Sequence, residues 1–76
     1  MTKIELTLKT LEGDVEFEVV KLDGRFHVFN KIIDFHGKSK TIRIGETGTW
    51  PDVVNIAKIF TGKQVLEIEG TAVQNN

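Results

Sequence analysis

The residues with the clearest chemical potential lie in a basic stretch near the middle of the 76-residue chain. Residues 21–43 carry a local charge of +4, whereas the segments before and after them carry −3 and −2. Every second position within this stretch carries a basic or aromatic side chain: Arg25, His27, Phe29 and Lys31. Because alternate residues of a β-strand point to the same side, this spacing predicts a row of cations around one ring on a sheet surface.

Such a row favours a negatively charged partner. Sheets that bind nucleic acid combine cations, which attract phosphate, with rings that stack on bases. Arg43 is expected to join the row from the next strand, with Lys38 and Lys40 nearby, so nucleic acid is one candidate partner. The whole chain, however, has a net charge of −1, and the row has one aromatic where two or three are usual. A protein partner, an acidic small molecule and an ordinary solvated surface are the open alternatives.

Other motifs in the chain fall short of a reactive site. Residues 36–39 end like a phosphate-binding loop, but the first glycine of that loop is replaced by Ile32 and a strand is expected to follow. The two histidines and Asp34 lack the spacing of a metal site, and Ser39, the sole serine, has no oriented base. The chain has no cysteine. We therefore expect no metal, no cofactor and no enzyme activity.

Trp50, the only tryptophan, lies at the expected start of a helix and has two interpretations. It packs on Val54 as a hydrophobic staple, or it is an exposed anchor for a protein partner. Val54 and Ile59 also widen the apolar arc of that helix beyond what one sheet face requires. The helix is therefore either deeply buried within its own chain or part of a dimer contact.

Alternating apolar and polar residues predict the strands that position the basic row. Lys3–Thr10 and the segment from Val15 form a hairpin, and a turn at Glu12–Gly13 would place Leu8 opposite Phe17. In this register a bulge at Val19–Val20 is needed to keep the later residues of the second strand buried.

The third strand follows a turn of three residues, 23–25. This turn would pair Phe26 with Leu22 and Val28 with Val20, leaving the basic row on the opposite side. A polar loop is expected at 34–40, followed by a fourth strand over 40–44.

Helical periodicity follows, with apolar residues at Val53, Ile56, Ala57 and Phe60. Pro51 suits the first helical turn, and Gly62 suits a left-handed helix end. A last strand is expected from Lys63 to Glu69, and residues 71–76 are expected to be a polar, frayed tail.

Together these elements predict one domain, residues 1–76, of the α+β class. It is a small antiparallel sheet, made of a four-stranded meander, one helix and a final strand, with the helix packed on one face. The uncovered face is left for function. No apolar run approaches the roughly 18 residues of a membrane span, and the N-terminus alternates unlike a signal peptide. We expect a cytoplasmic protein without membrane contact.

The function expected from these observations is non-catalytic binding of a protein partner, as an inhibitor, an adaptor or a subunit of an assembly. A cysteine-free chain of this length must be stabilised by packing or association, so a homodimer is an open alternative. The other alternative is a nucleic-acid-binding protein that uses the basic, aromatic sheet face. The candidate partner-binding residues are Arg25, His27, Phe29, Lys31, Lys38, Lys40, Arg43 and Trp50.

Overall fold

Five antiparallel strands and one helix make up the fold, in a computed structural model that describes residues 2–74. The sheet has the order β4-β3-β2-β1-β5, and a single helix packs on one of its faces. The predicted α+β class is confirmed, with the final strand joining the meander to make one five-stranded sheet. The elements are β1 (Thr2–Thr10), β2 (Gly13–Leu22), β3 (Arg25–Ile33), β4 (Ser39–Thr47), α1 (Trp50–Thr61) and β5 (Glu67–Gln74).

The first hairpin turns one residue earlier than predicted, at Leu11–Glu12, which shifts each cross-strand partner by two residues. Thr10 pairs with Gly13, and the Thr10 hydroxyl closes the turn by donating to the Gly13 carbonyl oxygen and accepting from the Glu12 N–H. Leu8 therefore lies opposite Val15, not Phe17. The two strands pair without interruption, so the predicted bulge in β2 is wrong.

The second hairpin has a turn of two residues, Asp23–Gly24. Both have positive φ, 53° and 74°, which matches the turn that follows the right-handed twist of the strands. Leu22 therefore pairs with Arg25, and the predicted three-residue turn is wrong. Because a shift of one residue exchanges the two faces of a strand, Val20 and Leu22 lie on the side away from the helix.

The third hairpin contains a β-bulge, whereas the first hairpin has none. The register between β3 and β4 shifts at Val28 and Phe29, so that Ile44 is an extra residue in β4. The Asp34 carboxylate closes the connecting loop by accepting from the N–H groups of His36 and Lys38, at 2.9 and 3.0 Å. β4 is also longer than predicted and continues to Thr47.

The helix begins and ends where its sequence signals predicted. Pro51 lies in its first turn, and Gly62, with φ of 66°, donates its N–H to the Lys58 carbonyl oxygen at 3.0 Å. Val53 and Ala57 are fully buried against the sheet. The buried hydrophobic core among residues 2–74 consists of Leu6, Leu8, Phe17, Val19, Val28, Val53 and Ala57.

β5 pairs with β1 and forms the second edge of the sheet. It occupies Glu67–Gln74, so the predicted strand from Lys63 to Glu69 is wrong at both ends: residues 63–66 precede the strand, and residues 71–74 are strand and not tail. Residues 75 and 76 of the predicted tail lie outside the described residues. Within residues 2–74, α1 is too short to be a membrane-spanning helix.

Candidate functional site

The sheet has a helix on one side, and we call its other side the open face. The predicted basic row lies there: Arg25, His27, Phe29 and Lys31 occupy alternate positions of β3, and the residues between them face α1. Arg43 of β4 is directly opposite Phe29, as expected.

The three other predicted binding residues do not join this row. Lys38 lies in the loop before β4, and Lys40 is paired with Ile32, at a position that faces the helix side of the sheet. Trp50 is half-buried on the helix side, where its ring meets the edge of the Phe26 ring at a centroid distance of 5.8 Å. The structure thus separates the tryptophan from the basic row by the thickness of the sheet.

A carboxylate that the sequence analysis assigned to a loop lies in the middle of the basic row. Because β4 extends to Thr47, Glu46 is part of the strand and pairs with His27. Its carboxylate oxygens lie 3.2 Å from Arg25 Nε, 3.5 Å from Arg43 Nη2 and 3.9 Å from His27 Nε2. The cations predicted to attract an anionic partner therefore share an anion within the chain.

Two further lysines of the open face also have carboxylate partners. Lys3 Nζ lies 2.6 Å from Glu18, and Lys9 Nζ lies 3.3 Å from Glu69. Hydrogen bonds to these carboxylates, followed by the Coulombic attraction of the same groups, raise the pKa of each lysine above its ordinary value. Most cations of the open face thus lie beside carboxylates of the chain, around one half-buried ring.

The helix side has a second surface, which the sequence analysis did not identify as a site. We call it the β4 flank, and it consists of Ile42 and Ile44 of β4 with Ile56, Ile59 and Phe60 of α1. Ile59 is 80% exposed, Ile42 51% and Phe60 49%. A hollow of about 270 Å³ is lined by Ile44, Ile56, Ile59 and Phe60. Phe60 also borders a second hollow of about 350 Å³ that includes Asn30 and Ile32.

Helix α1 covers the β4 side of the sheet only in part, because Ile44 and Ile56 are half-buried whereas Ile42 and Ile59 are exposed. The helix and β4 approach closely at Gly45, where a Cβ would lie 3.1 Å from Ile56 Cδ1. The sequence signals for this surface were the isoleucines of the predicted fourth strand, Ile42 and Ile44, and the widened apolar arc at Ile59.

Within residues 2–74, no three His, Asp or Glu side chains are grouped so as to hold a metal ion. Comparison with protein-family models, curated proteins and solved structures finds no match to the chain. The chemistry of the two surfaces is therefore the basis for inferring function.

Proposed function

We propose that this chain is a small, non-catalytic binding module that engages a protein partner through the β4 flank. The observation that carries the proposal is the exposure of Ile59 and Phe60 around a hollow shared with Ile44 and Ile56, with Ile42 exposed on the same side of β4. Single exposed apolar side chains are ordinary, but a contiguous group of them marks a binding surface.

The shape of the flank favours a protein over a small molecule. Ligand pockets usually place a few polar groups around the ligand. The residues that line the hollow of about 270 Å³ between β4 and α1 are all aliphatic or aromatic. A hollow of this kind suits an apolar side chain presented by a protein surface, the usual arrangement at the centre of an interface.

The charge pairing on the open face makes nucleic acid the weaker alternative. Phosphate contacts need cations that are available to replace the counterions of the nucleic acid. Arg25 and Arg43 already lie beside Glu46, and Lys31 is directly opposite Glu16. A phosphate would have to displace or approach these carboxylates, which lowers the expected affinity.

The proposal is tested by comparing substitutions on the two surfaces. Tagged chains with Ile59→Glu, Phe29→Ala or Lys58→Glu are used to capture proteins from the cells that produce the chain. Lys58 is the matched control because it neighbours Ile59, is exposed, and lies outside the linings of the two hollows.

We expect partners that bind wild type and the Phe29 and Lys58 variants, with at least tenfold less captured by Ile59→Glu, as for loss of an interface hot spot. Partners lost only with Phe29→Ala would place binding on the open face. Capture unchanged in all variants would contradict binding through the β4 flank.

A further inference from the structure

We infer that the partner of the β4 flank is a second copy of this chain, packed flank to flank around a two-fold axis. This inference rests on the proposed function, because it names the occupant of the same surface. Three properties of the chain support it: its small core, the shape of the flank and the arrangement of charges along β4.

The core is small compared with the apolar surface left exposed. Among residues 2–74, seven hydrophobic side chains are buried, whereas ten large ones are exposed. A chain of about 70–80 residues usually needs a disulfide, a metal or association to supplement its core, and this chain has no cysteine. A second copy is present whenever the first is made, so a homodimer supplies the missing burial without another gene product.

The flank is shaped to fit its own copy. A two-fold interface brings the same patch of both chains together, so each patch must offer both a projection and a recess. Ile59, with 80% of its surface exposed, forms one wall of the hollow that Ile44, Ile56 and Phe60 also line, so its outer side is the projection. In the two-fold arrangement, Ile59 of each chain seats in the hollow of the other.

Charges at the two ends of β4 favour an antiparallel arrangement. Lys38 and Lys40 lie just before and at the start of the strand, whereas Asp52, in the first turn of α1, lies beside its end. A two-fold axis near the midpoint of β4 places the lysine end of one copy beside the acidic end of the other. Arg43, the midpoint residue, is held on the open face by Glu46 at 3.5 Å.

The available area is sufficient for a stable dimer. Nine residues of β4 extend about 30 Å, and the molecule is 19 Å deep in its shortest dimension. This side therefore offers roughly 600 Å² per copy, which is the lower limit of stable interfaces.

The first test is solution mass, measured by sedimentation velocity on the untagged full chain from low to high micromolar concentration. We expect the dimer mass for wild type and for the control Lys58→Glu. Ile59→Lys should weaken the dimer by at least about thirtyfold, as for loss of an interface hot spot. Ile59 is largely exposed, so this substitution leaves the fold of the monomer intact, which circular dichroism checks.

The second test locates the contact with single cysteines in the cysteine-free chain. Ile42→Cys lies near the proposed axis, and Leu11→Cys, 85% exposed in the first turn, is the control. With a short bismaleimide, we expect cross-linked dimer from Ile42→Cys and at least tenfold less from Leu11→Cys.

The outcomes separate this inference from the proposed function. A monomer at all concentrations would overturn the homodimer, while flank-dependent capture of an unlike protein would still support protein binding. A dimer that persists in Ile59→Lys and cross-links through Leu11→Cys would overturn the inference by placing self-association elsewhere. Capture that is unaffected by Ile59→Glu would contradict the proposed function as well.

Discussion

The open face and the β4 flank are exposed for different reasons. On the open face, Glu46 lies between Arg25 and Arg43, and Lys3 has its own carboxylate partner, so most of its cations are paired within the chain. On the β4 flank, Ile42 and Ile59 are exposed to water. A conspicuous sequence pattern can thus belong to a surface whose charges are mostly paired within the chain, while the exposed apolar surface is less conspicuous in the sequence.

The largest expected effect is a loss of folding stability when Phe17, which packs against Phe60 of the flank, is replaced. Phe17 is fully buried and meets the Phe60 ring edge-to-face at a centroid distance of 6.0 Å. Phe17→Ala should lower the free energy of unfolding by about 3–5 kcal/mol, since it leaves a cavity in the core. Urea denaturation measures the change, with Phe35→Ala, 93% exposed, as the near-neutral control. A loss below about 1 kcal/mol would show that the flank does not depend on this support.

A smaller effect is expected at the closest approach of β4 to α1. Gly45→Ala places a methyl group 3.1 Å from Ile56 Cδ1, so Ile56 must shift within the flank. We expect a loss of about 1 kcal/mol, at the lower end of the cost of overpacking. Gly48→Ala is the control, because its new methyl group would meet only the mobile end of Arg25, at 3.4 Å. Equal unfolding midpoints for both variants and wild type would refute tight packing at Gly45.

Glu46→Gln tests whether the cations of the open face are paired within the chain. Removing this carboxylate frees Arg25 and Arg43, so binding of a labelled single-stranded oligonucleotide at low salt should become tighter. If about two phosphate contacts are gained, the dependence of log affinity on log salt should steepen by about 1.4. The unfolding free energy should change by less than about 1 kcal/mol, because the ion pairs are exposed. Tight oligonucleotide binding by wild type would instead revive the nucleic-acid alternative.

The smallest effect is a dependence on alkaline pH. The hydrogen bond to Glu18 raises the pKa of Lys3 above its ordinary value of 10.5. The pair therefore contributes its full stability below pH 10.5, and loses it as pH rises through the pKa of the folded chain. Thermal unfolding should show a shallower alkaline decline for Lys3→Met than for wild type or the exposed control Lys58→Met. Parallel declines in all three proteins would exclude this contribution.

The sequence predicted the elements of the fold better than their register. The alternation of apolar and polar residues identifies the strands and the basic row because it involves only residues that are neighbours in the sequence. Register depends on turn length, and here the Thr10 hydroxyl and the left-handed Asp23 decide it. The end of β5 also escaped prediction, because Thr71–Gln74 lie in a strand through pairing with β1, a distant segment of the chain.

The candidate site was predicted in part. Arg25, His27, Phe29 and Lys31 lie on one face as expected, since strand periodicity alone places them there. The position of Glu46 depends on how far β4 extends, and the exposure of Ile42 depends on how much of β4 the helix covers. Neither quantity can be obtained from local periodicity.

The contrast between the two surfaces is tested most directly by a dilution series of amide NMR spectra of the wild-type chain. We expect concentration-dependent shifts at Ile42, Ile59 and Phe60, while His27 and Phe29 on the open face stay constant. Shifts confined to His27 and Phe29, or no dependence on concentration, would contradict self-association through the β4 flank.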